Sequence, residues 1–105
     1  MKLDLTNKNI LITGAATGMG RASALEAAKH GANIAIVDIN SEGLKEVSSK
    51  LNSMDANFKS FTMDVTSINE SEKKIDQIEG WFDGGINCLV HFAGALEGSV
   101  VDIDE

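Results

Sequence analysis

The sequence predicts a three-layer α/β fold, in which a parallel sheet lies between two layers of helices. Apolar runs and helical patterns alternate along the chain, and the connections between them are short. The apolar runs are nearly continuous, as in parallel strands that are buried on both faces. A β-α-β-α-β-α-β order of this kind joins parallel strands through right-handed crossovers.

The first half of the chain supplies two strands and two helices. The predicted elements are a strand over 9–13, a helix over 18–30, a strand over 33–37 and a helix over 41–51. Gly31 follows the first helix as its stop signal. Gly43 weakens the second helix, because glycine is a poor helix former.

The second half repeats the alternation and then loses it. A less apolar strand over 57–63 is expected at an edge of the sheet. Ser67-Ile68-Asn69-Glu70 fits a capping box that opens a third helix, ending near Gly80. A fourth strand covers 86–91, and residues 95–105 are predicted to be a loop with an acidic end.

These elements predict a Rossmann-like, partial doubly wound fold with a four-stranded parallel sheet in the order 3-2-1-4. Residues 1–105 are expected to form a single domain. The fourth strand would then lie at a sheet edge with an apolar face, which natural proteins avoid. We therefore expect a homo-oligomer that forms through this strand or the third helix, or a chain that belongs to a longer protein.

Composition excludes several classes of function. The net charge is −7 and Arg21 is the only arginine, which argues against nucleic-acid binding. The sequence has neither an apolar run long enough for a membrane span nor the pattern of a signal peptide. A single cysteine, Cys88, inside an apolar strand indicates a reduced thiol, so we expect a cytoplasmic protein. We expect no metal site.

The segment between the first strand and first helix predicts a nucleotide site. Gly14, Gly18 and Gly20 follow the strand directly, and we call residues 14–20 the glycine turn. Glycines permit positive φ angles and let a ligand approach the backbone. The free N–H groups and the dipole of the following helix attract a diphosphate. The absence of a G-K-[ST] sequence after the glycines excludes a P-loop.

Asp38 lies at the end of the second strand, where a carboxylate can accept hydrogen bonds from both hydroxyls of an adenosine ribose. It would repel a 2′-phosphate, and neither Ile39 nor Asn40 supplies a compensating cation. Asp38 could instead be the N-cap of the second helix, and the two roles are compatible.

Thr13-Gly14-Ala15-Ala16-Thr17-Gly18-Met19-Gly20 resembles the T-G-x-x-x-G-x-G signature of the short-chain dehydrogenases/reductases. Asp64-Val65 is similar to the Asp-Val pair of this family, and Ala93-Gly94 matches the second half of its N-N-A-G element. The four motifs occur in the family's order across nearly the whole chain. By this resemblance, the chain is the N-terminal cofactor-binding half of an oxidoreductase that transfers hydride between nicotinamide and an alcohol or carbonyl.

The resemblance also implies roles for individual residues. The backbone of Ala16, Thr17, Gly18 and Met19 would bind the pyrophosphate, and Asp38 would hold the adenosine ribose. Asp64 and Val65 would contact the adenine, while Ala93 and Gly94 would lie beside the nicotinamide ribose. Thr17 and Ile39 occupy the places where relatives that use NADP carry a basic residue, so the resemblance favours NAD.

The chain departs from the family in two respects. His91 and Phe92 replace the asparagines of N-N-A-G, and a histidine at a strand end is more often structural than catalytic. The family's catalytic Tyr, the Lys four residues after it and the Ser belong to a later region, and this chain contains no tyrosine. We therefore assign no catalytic residue and expect the 105 residues alone to be catalytically incompetent. Cys88 has no base placed near it by the sequence.

Two other functions stay open at this point. The chain could be a nucleotide-binding or assembly module without catalysis. It could also bind S-adenosylmethionine, whose enzymes use a similar fold and an acidic residue after the second strand, although they are expected to show a different glycine pattern.

Overall fold

The computed structural model describes residues 3–64, 68–82, 84–93 and 97–102. Three helices and five strands alternate along most of this length. In chain order they are β1 (Asn9–Thr13), α1 (Gly18–Lys29), β2 (Asn33–Asp38), α2 (Ser41–Ser53), β3 (Asn57–Thr62), α3 (Ile68–Trp81), β4 (Cys88–Ala93) and β5 (Glu97–Asp102).

The strands form one sheet in the order β3-β2-β1-β4-β5. The first four strands are parallel, which confirms the predicted 3-2-1-4 order and the Rossmann-like fold. β3 lies at one edge, as its mixed composition predicted. β5 is antiparallel to β4 at the other edge.

Side chains alternate between two cores, one on each face of the sheet. In β1, Ile10 and Ile12 pack on one face with Leu44 and Val47 of α2 and Ala24 of α1. Leu11 points to the opposite face, where the core includes Ile78 of α3. This period of two, with both faces covered, explains why β1 is apolar along its length. Helices α1 and α2 therefore cover one face of the sheet and α3 the other.

A chain of asparagine side chains joins the amino ends of β1, β2 and β3. Asn33 donates from Nδ2 to Oδ1 of Asn9 at 2.9 Å, and Asn57 donates in the same way to Asn33 at 2.8 Å. The Nδ2 of Asn9 donates to the Gly85 carbonyl at 2.6 Å, just before β4. We call Asn9, Asn33 and Asn57 the asparagine ladder. It holds the three strands in register at the end opposite the glycine turn.

The predicted loop over 95–105 is wrong where the structure describes it, because residues 97–102 form β5. β4 provides a neighbouring backbone edge along its whole length, and β5 pairs with it from Ala93↔Glu97 to Cys88↔Asp102. The sequence of this segment carries no strand pattern that is visible without its partner. β4 itself begins and ends two residues later than predicted, at Cys88 and Ala93.

The pairing with β5 corrects the expectation of self-association through an open β4 edge. The backbone groups along that side of β4 already pair within the chain. The open edge on which the fourth-strand prediction rested is therefore absent, and association through the third helix stays a prediction.

Other expectations fall partly outside the described residues. Ser67 of the predicted capping box lies there, although α3 begins at the predicted place, Ile68. In the part of the chain that the structure describes, no helix is long and apolar enough to cross a membrane.

Candidate functional site

The glycine turn connects the carboxyl end of β1 to the first turn of α1. Gly14 and Gly18 have φ angles of +71° and +59°, a region that side chains with a Cβ disfavour. Between them, Ala15 and Ala16 are buried in the core. The N–H of Ala15 donates to the Val37 carbonyl of β2 at 3.1 Å, which fixes the turn to the neighbouring strand.

Gly20 is required for a different reason, the close approach of two backbone segments. A Cβ at this position would lie 1.9 Å from the carbonyl oxygen of Gly14 and 2.7 Å from its carbonyl carbon. Both are backbone atoms, which cannot turn aside as a flexible side chain can. The first turn of α1 is therefore packed directly against the turn that leads into it.

Helices α1 and α2, which both begin at this end of the sheet, differ at their N-termini. The N-cap of α1 is Thr17, whose side chain makes no capping hydrogen bond, and the first turn of α1 contains no acidic residue. In α2, the side chain of Asn40 accepts a hydrogen bond from the N–H of Gly43, and Glu42 lies in the first turn. Only α1 of this pair thus leaves its first N–H groups without a side-chain cap or an acidic neighbour, a state that suits an anion.

Asp38, the last residue of β2, touches the glycine turn. Its Oδ2 accepts from the N–H of Ala16 at 3.0 Å, and its Oδ1 accepts from the N–H of Asn40 at 3.0 Å. The alternative role of Asp38 as the N-cap of α2 is wrong, because Asn40 is the N-cap. A carboxylate has about four acceptor sites, so Asp38 retains capacity for further donors.

The arginine in the first turn of α1 is paired with a glutamate. Arg21, in the first turn of α1, forms an ion pair with Glu46 of α2 at 3.7 Å. Two apolar side chains are exposed at the same end of the sheet, Met19 at 73% and Ile39 at 66%. The sequence analysis considered Ile39 only as a position that lacks a cation. An apolar residue directly after a strand-end acid could have indicated that Ile39 itself lies at the site.

The remaining predicted residues lie at the ends of β3 and β4. The N–H of Met63 donates to the Asp38 carbonyl at 3.0 Å, which brings the half-buried Asp64 to the same edge of the sheet as Asp38. Ala93 is the last residue of β4. Val65 and Gly94 lie outside the described residues. The structure thus gathers Gly14, Ala16, Thr17, Gly18, Met19, Gly20, Asp38, Asp64 and Ala93 at the carboxyl ends of the parallel strands.

His91 makes a side-chain contact to Thr13, the residue before the glycine turn. Its Nδ1 lies 2.5 Å from Oγ1 of Thr13, and the two residues are in register on β4 and β1. Thr13 directly precedes Gly14 and is buried. This hydrogen bond is a structural link between two strand ends at the site.

Comparison with known proteins agrees with this arrangement. A tropinone reductase homologue of Arabidopsis thaliana is 37% identical over 94 residues, which cover 90% of this chain and 35% of the relative. The structure of a hydroxysteroid dehydrogenase from Escherichia coli matches with a TM-score of 0.83 and 29% identity, over 90% of this chain and 40% of that one. A Haemophilus influenzae structure described as a D-mannonate oxidoreductase, with bound NAD, matches with a TM-score of 0.75 and 31% identity, over 83% and 31% of the two chains.

The matches cover most of this chain but a much smaller share of each relative. This chain spans between 28% and 35% of the length of the curated relatives that it resembles. A family model described as short chain dehydrogenase matches residues 8–105, nearly the whole chain. The glycine turn, the strand order and this match lead to one conclusion: the chain belongs to the short-chain dehydrogenase family.

Proposed function

We propose that this chain is the cofactor-binding part of an NAD-dependent short-chain oxidoreductase. The observation that carries the proposal is the hydrogen bond of 3.0 Å between the Ala16 N–H and Oδ2 of Asp38. It joins a turn suited to a pyrophosphate and a carboxylate suited to a ribose in one site. A bound nicotinamide dinucleotide supplies the hydride donor or acceptor of the family's chemistry.

The residues present fit such a cofactor. The backbone of Ala16, Thr17, Gly18 and Met19 would bind the pyrophosphate, supported by the uncapped start of α1. A Cβ placed on Gly18 would meet no atom of the described residues within 4 Å, so the space that they leave beside this glycine could take a ligand. Asp64 and Ala93, with Val65 and Gly94, would complete the adenine and nicotinamide sides.

The preference for NAD over NADP rests on charge. Asp38 would accept hydrogen bonds from the ribose hydroxyls and would repel a phosphate in their place. Arg21, the only arginine in the sequence, is already paired with Glu46. The exposed Ile39 offers apolar surface rather than a cation next to Asp38.

Calorimetric titration of the 105-residue chain tests this proposal. We expect NAD to bind about tenfold more tightly than NADP, the effect of one unfavourable charge contact near a protein surface. Asp38→Ala should narrow the difference between the NAD and NADP affinities. Asp76→Ala should leave that difference unchanged, since this substitution removes the same charge from an exposed position on α3. Equal affinities for both cofactors in the parent chain would contradict the preference.

Catalysis by these 105 residues alone is not part of the proposal. The family's proton transfer needs a tyrosine, and the sequence has none. We expect no NAD-dependent oxidation of secondary alcohols by the purified chain, as measured by the absorbance of NADH. Turnover above the buffer control would show that another group performs the proton transfer.

Two alternatives are separated by the coding sequence of the natural protein and by titration with a second ligand. A binding or assembly module without catalysis would bind NAD, but the coding sequence of the natural protein would contain no Tyr-x-x-x-Lys. A site for S-adenosylmethionine would bind that ligand more tightly than NAD, and membership of the dehydrogenase family argues against it.

We further propose a cytoplasmic protein, supported by the single cysteine, and self-association through α3, where Ile75 is exposed.

A further inference from the structure

Gly43, in the first turn of α2, lies against the glycine turn. A Cβ at this position would lie 2.7 Å from the Cβ of Ala16, 3.0 Å from Nδ2 of Asn40 and 3.3 Å from the Ala16 carbonyl oxygen. Gly43 is not among the residues with a positive φ angle. The residue type is therefore required by proximity to Ala16 and not by the backbone conformation.

Ala16 is held at its N–H as well. That N–H donates to Oδ2 of Asp38, and Oδ1 of Asp38 accepts from the N–H of Asn40. The Asn40 side chain in turn accepts from the N–H of Gly43 at 3.0 Å. These contacts close a ring of four residues, Ala16, Asp38, Asn40 and Gly43, which we call the Ala16 clamp.

We propose that Gly43 is a positioning residue for cofactor binding. Without a side chain, it allows the start of α2 to close on Ala16, so that the Ala16 clamp fixes the glycine turn before the cofactor arrives. Gly43 acts through Ala16 and needs no contact with the ligand. The inference rests on the proposed function for its consequence on NAD binding, but the clamp itself can be tested in the free protein.

The test compares Gly43→Ala with Gly80→Ala. Both replace a helical glycine, but a Cβ at Gly80 would meet no described atom within 4 Å. Gly80→Ala should raise the melting temperature by about 4 °C, because alanine is the better helix former. It should leave the exchange rate of the Ala16 amide relative to that of a β2 core amide unchanged, and likewise the affinity for NAD.

Gly43→Ala should increase the exchange rate of the Ala16 amide about tenfold relative to that of a β2 core amide, such as Ile36. A purely global loss of stability would speed up both amides together. The NAD affinity should fall by about tenfold, which corresponds to about 1.4 kcal/mol.

Rescue distinguishes the contact from other effects of the substitution. The double variant Ala16→Gly with Gly43→Ala removes the Cβ that the new side chain would meet at 2.7 Å. The Gly43→Ala change should reduce NAD affinity less in this background than in the parent chain, because its shortest contact is gone, so the two substitutions should be coupled. If Gly43→Ala does not fold, recovery of folding in the double variant supports the contact, and failure of both overturns it.

The outcomes for the clamp and for the cofactor are separable. If the exchange rate of the Ala16 amide in Gly43→Ala rises only as much as that of the β2 amide, the clamp is overturned. If the Ala16 amide exchanges selectively faster in Gly43→Ala but the parent chain binds no NAD, the result supports the clamp and contradicts the proposed function. If the Ala16 amide exchanges selectively faster in Gly43→Ala but the NAD affinity of that variant is unchanged, the positioning role of Gly43 is overturned.

Discussion

Gly20→Ala should abolish NAD binding and lower the free energy of unfolding by about 3 kcal/mol, the upper part of the range for overpacking a close-packed site. The new Cβ would lie 1.9 Å from the Gly14 carbonyl oxygen and 3.2 Å from the Ala15 Cα. Relief requires α1 to move away from the turn. That movement would displace the N–H groups proposed to bind the pyrophosphate.

Urea denaturation and calorimetric titration measure the two effects of Gly20→Ala separately. Gly18→Ala is the matched comparison, since its φ of +59° costs a side chain about 1 kcal/mol but, among the residues that the structure describes, none has an atom within 4 Å of the new Cβ. Gly80→Ala again reports a helical substitution in open space. A Gly20→Ala variant as stable as Gly80→Ala would show that the two segments do not pack as described.

Asn9→Leu should destabilise the protein by about 3 kcal/mol, because it leaves two partners of a buried side chain unpaired. The Gly85 carbonyl loses its donor at 2.6 Å, and Nδ2 of Asn33 loses its acceptor at 2.9 Å. Leucine has nearly the shape of asparagine, so the loss of hydrogen bonds accounts for most of the expected change.

Asn57→Ala is the control within the asparagine ladder. Asn57 is exposed, so its partner on Asn33 can bind water after the substitution, and the cost should stay below about 1 kcal/mol. Urea denaturation of both variants measures the difference. Similar values for Asn9→Leu and Asn57→Ala would mean that the ladder contributes little beyond the backbone pairing.

The order of the strands and the location of the candidate site could be predicted because both depend on local sequence patterns. Apolar runs mark β1, β2 and β4, and short crossovers leave few parallel topologies open. The position of Asp38 at the end of β2 could be predicted from the sequence, whereas its hydrogen bond to the Ala16 N–H is a finding of the structure. The roles of the site residues in binding remain predictions.

The features that sequence reasoning missed depend on contacts with other segments that the local sequence pattern does not reveal. β5 forms on the edge that β4 provides, and its sequence has too little alternation to indicate a strand alone. Gly43 suggests only a weak helix until its distance from Ala16 is known. The asparagine ladder did have a signal, since its hydrogen-bonded members are separated by 24 residues and each opens a strand.

The position of the asparagine ladder has a consequence for how this sheet can change. Asn9 and Thr13 are the two ends of β1, so about 13 Å of strand separates the ladder from the glycine turn. Substitutions more than about 7–10 Å apart that share no partners usually have additive effects. The amino ends of the strands therefore offer positions where stability can be adjusted while cofactor selectivity is altered at the carboxyl ends, and neither set of changes constrains the other.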